Sequence, residues 1–291
     1  MPSIKSPERV AIQGELGSNS ELAAREFFES DFEIVPCASF NKLFEVVKSG
    51  NAPFGMAPVE NSLAGIIHEV WDLLVLYQPP LVGELTLRIS HCLIGTPTSN
   101  MSKVRRVYSH PQALVQCEAF LSSLDNIECH EVYDTAGAVA MIKQSGKIDT
   151  AAIASSQAAT DHNMKILASA IETQYENYTR FLVITCDPQP IPTTDMKSSV
   201  VVRLNDSGRH IGQVLNNLTD NGLTLHRVET RKRIGEPWTF DVYVDFSGFV
   251  DEEPIKQGLE DLAKIAVDVK VVGSYPTGVC TSPRAHPVDR H

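Results

Sequence analysis

Three prolines fall within nine residues in Asp187-Pro188-Gln189-Pro190-Ile191-Pro192-Thr193-Thr194-Asp195. Each proline removes a backbone donor and fixes φ, so neither a helix nor a central strand runs through such a stretch. The run is a linker, and the chain on either side of it must bury a core of its own. A length of 291 residues is enough for two such cores. Before the linker, strand and helix signals alternate, the pattern of an α/β fold. After it the order becomes strand, helix, strand, strand, helix, strand, which is ferredoxin-like.

In the first part, Val10-Ala11-Ile12-Gln13 predicts a strand. Ser18-Asn19-Ser20-Glu21 then predicts a capping box that opens a helix reaching about Phe28. A helix over 40–47, a buried strand over 54–59 ending at Glu60-Asn61-Ser62, and a long apolar helix over 65–77 follow, the last stopped by Pro79-Pro80. The apolar stretch 81–94 is too long for one ordinary strand and breaks at Ser90-His91, as a crossover between two lobes would. Strands over 104–108, 127–133 and 150–154 alternate with helices over 112–124, 135–144 and from Ser155. Beyond the linker, strands are predicted over 199–204, 223–231, 239–246 and 267–272, with helices over 211–220 and 253–266. From Thr277 the periodicity stops, which predicts a loose tail.

A net charge of −11 argues against general binding to nucleic acid or to anionic membranes. There is no apolar run of 18 residues, and the first residues lack the apolar stretch of a secretory signal. The six cysteines (37, 92, 117, 129, 186 and 280) form no C-x-x-C pair and read as buried thiols of a cytoplasmic protein. The nine histidines show no H-x-x-x-H spacing, and His68 reads as a packed helix residue, so no metal site is expected.

The polar residues of the first part gather where strands run into helices: Ser18 with Ser20, Asn61 with Ser62, Ser109, Thr135, and Ser155 with Ser156. In a parallel sheet these junctions share one edge, the place where α/β proteins bind ligands. Each junction also carries the free N–H groups and partial positive charge of a helix N-terminus, so several together suit a small polyanion. Ser, Thr and Asn are ordinary caps as well, but capping does not account for Glu60, His110 with Gln112, or Arg180 beside them. In Asn177-Tyr178-Thr179-Arg180-Phe181, just before the apolar Leu182-Val183-Ile184, strand alternation puts Thr179 and Phe181 on one face and Arg180 on the other. A hydroxyl relays a proton and a guanidinium forks onto a carboxylate. Glu60 is either structural, closing the turn at Asn61, or a carboxyl whose raised pKa lets it donate a proton.

Six segments in order carry a resemblance: 13–24, Pro58-Val59-Glu60-Asn61-Ser62, Ser109-His110-Pro111-Gln112-Ala113-Leu114, Asp134-Thr135-Ala136-Gly137-Ala138, Ala151-Ala152-Ile153-Ala154-Ser155 and the run 177–181. Together they resemble the prephenate dehydratase family, whose signatures the arogenate dehydratases share, over about 9–276. The resemblance implies a two-lobed catalytic domain over 8–187, like the type-II periplasmic binding proteins. Lobe one would be about 8–88 and 171–187, and lobe two about 89–170. A linker at 188–197, a ferredoxin-like ACT regulatory domain at 198–276 and a tail at 277–291 would follow.

It also implies conversion of prephenate to phenylpyruvate, water and carbon dioxide in phenylalanine biosynthesis, with no cofactor. Thr179 would be catalytic at the leaving hydroxyl. Arg180 would clamp a carboxylate or orient Thr179, and Phe181 would supply an apolar wall. Ser18, Ser20, Asn61, Ser62, Ser109, Thr135 and Ser155 would hold the substrate. Phenylalanine would be sensed through Gly208, Arg209, His210, Ile211, Glu229, Thr230 and Arg231, in a homodimer or homotetramer.

The chain also departs from the family pattern. The usual Gly-Pro-x-Gly-Thr-Phe is Gly14-Glu15-Leu16-Gly17-Ser18-Asn19 here, keeping the hydroxyl and losing the aromatic. In the second domain Pro-Gly-Ala-Leu becomes Ser207-Gly208-Arg209-His210, and Glu-Ser-Arg-Pro becomes Glu229-Thr230-Arg231-Lys232. Bulky charged groups stand where small residues let a ligand approach the backbone, so altered phenylalanine control is expected. Three other readings stay open at this point: arogenate as substrate, a non-catalytic sensor of small anions, and a transcriptional effector domain.

Overall fold

The computed structural model describes residues 6–28, 30–188, 195–204, 210–233, 235–236 and 239–281. The run Val10-Ala11-Ile12 is fully buried at the centre of β1 (Arg9–Gln13), as expected of a strand covered on both faces. After α1 (Asn19–Phe28), β2 (Glu33–Cys37) pairs parallel to one side of β1. After α2 (Phe40–Lys48), β3 (Phe54–Asn61) pairs parallel to the other side. Strand β2 has no counterpart in the sequence reading. It carries Pro36 and lies at the sheet edge, where a missing donor is tolerated.

The helix expected from Gly65 begins later. Asn61 Oδ1 accepts the amides of Leu63 and Ala64, which turns the chain back into β4 (Gly65–Ile66), antiparallel to the end of β3. Helix α3 (His68–Tyr77) then starts at His68. The long apolar stretch is two strands, β5 (Leu81–Arg88) and β6 (Cys92–Gly95), separated at Ile89-Ser90-His91.

The second sheet uses β6, β7 (Arg106–Ser109), β8 (Glu128–Glu131), β9 (Thr150–Ala154) and β10 (Lys165–Ser169), in the order β10-β6-β9-β7-β8. Its helices are α4 (Pro111–Gln116), α5 (Glu118–Ser122), α6 (Thr135–Ser145) and α7 (Ser156–Asp161). The single helix expected over 112–124 breaks at Cys117, whose ψ of 15° leaves the helical range. Strand β10 also escapes the sequence reading, because it is a half-exposed edge strand whose apolar run is only three residues, Ile166-Leu167-Ala168. In the first sheet β11 (Tyr178–Thr185) lies between β5 and β3.

The third sheet is antiparallel throughout, order β13-β14-β12-β15, from β12 (Met196–Leu204), β13 (Leu225–Lys232), β14 (Phe240–Ser247) and β15 (Asp268–Pro276). With α8 (Ile211–Asp220) and α9 (Glu253–Ile265) it forms the ferredoxin-like order expected. Alternation along β12 sends Val200, Val202 and Leu204 into one core with Val214, Leu218 and Leu262 of the helices. Its odd residues face the other way, where Ser199 donates to the fully buried Asp245 at 2.6 Å and Arg227 Nε pairs with Asp245 at 2.8 Å. On that side Arg227 also lies over the Trp71 ring, 4.1 Å from its centre. Within the stretch expected to be a loose tail, residues 279–281 form β16 (Val279–Thr281), parallel to β5 at Leu85–Leu87, and residues 282–291 lie outside the described residues.

By internal contacts the chain divides into two compact units. One contains Trp71–Glu84 and Ile184–Gly278, and holds the third sheet. The other contains Ser6–Val70, Leu85–Val183 and the chain from Val279. The second sheet, most of the first sheet and the cleft described below belong to it. Among the described residues no helix is long and apolar enough to cross a membrane.

Candidate active site

Within this second unit, the loops after β1, β3 and β7 and the segment before β11 border a cleft of about 550 Å³. The loop after β1 closes against the second sheet's helices. Gly17 has φ +85°, and a Cβ there would lie 2.8 Å from both Cα and Cβ of Ala158 in α7, so only glycine fits. The Gly17 carbonyl accepts the Ser155 hydroxyl at 2.6 Å, and its amide donates to Glu21 Oε2 at 2.7 Å. The expected capping box is thus shifted: Ser18 Oγ accepts the Glu21 amide at 3.4 Å, but Glu21 returns to Gly17 rather than Ser18.

Asn61 is the hub of the site. Its Oδ1 is held by the amides of Leu63 (3.0 Å) and Ala64 (2.9 Å), which fixes which way the side-chain amide faces. Its Nδ2 therefore points at Asn177 Oδ1 (2.8 Å), Thr179 Oγ1 (3.0 Å) and the Tyr178 carbonyl (3.1 Å). Because Thr179 Oγ1 accepts from Asn61, its own proton is left to be given elsewhere, and Thr179 borders the cleft.

The structure brings Ser18, Ser20, Asn61, Thr135 and Thr179 to the cleft. The other candidates do not border it, and most have visible occupations. Ser109 is fully buried and donates to the Ile153 carbonyl at 2.6 Å. Ser155 donates to Gly17 and caps α7 through the Ala158 amide at 3.1 Å. Ser62 donates to the Glu176 carbonyl and accepts the Tyr178 amide. Phe181 is 1% exposed, packed inside the sheet. Arg180 points away from Thr179, as alternation requires, and its Nη1 lies 3.6 Å from Glu60 Oε2.

Sequence reasoning assigned no role to His91, Gln116 or Asn177, which border the cleft. Their only trace was polar residues interrupting or preceding apolar runs. Burial pushes the His91 pKa down, against the upward pull of Gln116 and Glu172, so the ring is neutral. Its Nε2 faces Gln116 Oε1 at 2.8 Å, so Nε2–H donates and the Gln116 –NH2 end is turned the other way. Glu172 anchors this corner: it accepts the His91 amide at 2.9 Å and pairs with Arg88 at 2.5 Å, both side chains buried.

The charged side chains bordering the cleft are Glu15 and Asp134, and among the described residues no lysine or arginine does so. Asp134 caps α6 through the Gly137 amide at 2.6 Å. An anion in this cleft is therefore met by neutral amides, hydroxyls and the N-termini of α1 and α6. No three His, Cys, Asp or Glu side chains among the described residues are grouped to hold a metal ion.

Of the expected effector residues, Gly208 and Arg209 lie outside the described residues. His210 and Ile211 open α8, Ile211 packing on the core. Glu229, Thr230 and Arg231 follow one another on β13, and Arg231 Nη1 pairs with Asp72 at 2.6 Å.

A prephenate dehydratase family model matches residues 10–189. The bifunctional chorismate mutase/prephenate dehydratase of Pseudomonas aeruginosa is 34% identical over 278 residues, covering 95% of this chain and 75% of that protein. Arogenate dehydratase/prephenate dehydratase 2 of Arabidopsis thaliana is 36% identical over 279 residues, covering 92% and 72%. Among solved structures, GqqA, described as a novel type of quorum-quenching acylase, superposes with a TM-score of 0.84 at 28% identity, covering 92% of this chain and 98% of that one. The prephenate dehydratase of Arthrobacter aurescens in complex with L-Phe superposes at 0.82 with 24% identity, covering 92% and 89%, and shares the fold. The chain belongs to the prephenate dehydratase family.

Proposed function

We propose that the cleft binds prephenate and converts it to phenylpyruvate, carbon dioxide and water, a carbon–oxygen lyase reaction of phenylalanine biosynthesis. The observation that carries the catalytic assignment is the Thr179 hydroxyl, fixed as an acceptor from Asn61 and so oriented to donate into the cleft. In the reaction the bond from the ring to its carboxylate breaks and carbon dioxide leaves. The electron pair moves into the ring, and the C4–oxygen bond breaks. The departing hydroxide takes the Thr179 hydroxyl proton to leave as water, and Thr179 regains a proton from solvent water, so one solvent proton is consumed per turnover. Aromatisation drives the step, and the apolar surround contributed by residues such as Ile89 and Ile67 favours loss of the carboxylate charge.

Arg180 acts here as a positioning residue through Glu60, and Phe181 as support beneath the strand that carries Thr179. Ser18, Ser20 and Thr135 are assigned to the substrate oxygens. Ser62, Ser109 and Ser155 hold the loops on which these groups sit. An acylase reading, prompted by the GqqA likeness, finds less support. Among the described residues no hydroxyl or thiol in the cleft is hydrogen-bonded to a histidine, the pairing that activates such nucleophiles.

One observation favours a second substrate. Among the described residues two carboxylates and no lysine or arginine border the cleft, which suits a substrate with an ammonium group on its side chain, as arogenate has. Incubating the protein with each compound and following phenylpyruvate or phenylalanine tests both readings. Turnover of neither removes the assignment. Glu15→Gln and Asp134→Asn, the latter keeping the helix cap, are expected to shift the ratio of kcat/KM several-fold towards prephenate. An unchanged ratio means these carboxylates do not select the side chain.

The division into a catalytic domain at 8–187 and a regulatory domain at 198–276 belongs to the same proposal. So does phenylalanine as effector of the ferredoxin-like unit, supported by the L-Phe complex of the Arthrobacter aurescens neighbour. Assembly as a homodimer or homotetramer is a further part, open to light scattering. A cytoplasmic location is supported by six unpaired cysteines.

A further inference from the structure

Asn177 is fully buried and borders the cleft, yet its side-chain Nδ2 has no hydrogen-bond partner. Every other polar atom of the residue is engaged. The amide donates to the Tyr175 carbonyl at 2.9 Å, the carbonyl accepts the Ile89 amide at 2.7 Å, and Oδ1 accepts Asn61 Nδ2 at 2.8 Å. The side chain cannot relieve the orphan by flipping. Asn61 has its own oxygen tied to Leu63 and Ala64, so it offers Asn177 only a donor, and only Oδ1 can face it. Asn177 Nδ2 is thus held as an unused donor in a site where buried donors are normally paired.

We infer that Asn177 Nδ2 binds a carboxylate oxygen of the substrate, namely the carboxylate that the product retains. This rests on the reaction proposed above and adds a binding residue to it. Two considerations select that oxygen. First, the cleft borders no lysine or arginine among the described residues, so a neutral amide must do part of the work of holding an anion. Second, a donor to the departing carboxylate would stabilise the charge that the reaction has to remove. A donor to the retained carboxylate binds substrate, transition state and product alike, and so leaves the chemical step untouched. Asn61 couples the two tasks: one amide orients Thr179 towards the leaving hydroxyl and Asn177 towards the anchor.

The test compares wild type, Asn177→Leu, Asn177→Asp and Thr179→Val, measuring prephenate kinetics, inhibition by phenylpyruvate and urea unfolding. Asn177→Leu is expected to raise KM for prephenate and Ki for phenylpyruvate together, by roughly 10- to 100-fold, with kcat within about threefold. Asn177→Asp keeps the acceptor for Asn61 and the shape, but turns an anionic oxygen on the ligand, so it should weaken both further. Thr179→Val should lose kcat while keeping the wild-type Ki for phenylpyruvate, which lacks the leaving hydroxyl. If Asn177→Leu is too unstable to assay, Asn177→Asp decides alone. Wild-type KM and Ki in a folded Asn177 variant overturn the inference. A wild-type protein that leaves prephenate untouched overturns instead the reaction on which it rests.

Discussion

Replacing Glu172 by glutamine removes the negative charge that pairs with the buried Arg88 guanidinium, the ion pair Arg88 makes among the described residues. Arg88 and Glu172 have side chains 7% and 2% exposed, with Nη2 and Oε1 2.5 Å apart. The same carboxylate accepts the His91 amide at 2.9 Å and the Ser90 hydroxyl at 3.4 Å, so it fixes the crossing from β5 to β6. Glutamine keeps a neutral acceptor, and among the described residues the other contacts of the guanidinium are the Tyr175 ring at 3.6 Å and the Tyr175 carbonyl at 3.2 Å, neither of them charged. Removing one partner of a buried pair costs about 3–5 kcal/mol, and the retained acceptor puts this case at the lower end. With m about 3 kcal/mol/M, a cost of about 3 kcal/mol lowers the urea midpoint by about 1 M. Circular dichroism measures it. The double variant Arg88→Met/Glu172→Gln should recover at least half the loss, because the unpaired charge is gone. A single-variant shift below about 0.3 M would refute the reasoning, since it would mean the pair is effectively solvated.

Gly17→Ala forces a side chain into the 2.8 Å approach to Ala158 at a positive φ. The φ alone should cost about 1–2 kcal/mol, and opening this seam should lower kcat/KM at least about tenfold; thermal unfolding and steady-state kinetics check the two. For His91, burial lowers the folded pKa, so the unfolded chain binds more protons as pH falls through its ordinary value near 6.5. Stability is therefore full above that value and is lost below it, by up to about 1.4 kcal/mol per pH unit, until the folded ring itself titrates. Urea unfolding at pH 7.5 and 5.5 should show a smaller pH-dependent loss in His91→Gln than in wild type. An equal loss would assign the effect to other groups.

Much of the architecture was legible because its signals are local. Val10-Ala11-Ile12 is apolar without interruption and is a central parallel strand; the alternation from Ser199 to Leu204 separates a helix-packed face from a polar one. Edge strands were harder to see. β2, β10 and β16 owe their pairing to a neighbour already in place, and they carry a proline, a half-exposed pattern and a short run after a turn, respectively. The site was legible in part for a similar reason. Residues at strand ends mark the edge where a ligand binds, which located Ser18, Asn61, Thr135 and Thr179. Which hydroxyls face the cleft is decided by partners far away in sequence. Ser155 is consumed by Gly17 and Ser109 by Ile153, while Asn177 keeps a free donor only because Asn61 is itself pinned. No pattern along the chain records those competitions.

The sharpest check of the proton relay is turnover of prephenate by purified wild type and Thr179→Val, read as phenylpyruvate formed per second at saturating substrate. Valine keeps the size and branching of the side chain and removes only the hydroxyl. The rate should fall by about 10²–10⁴ with KM within a few-fold. Valine turning over within about threefold of wild type would mean the leaving hydroxide takes its proton from another group.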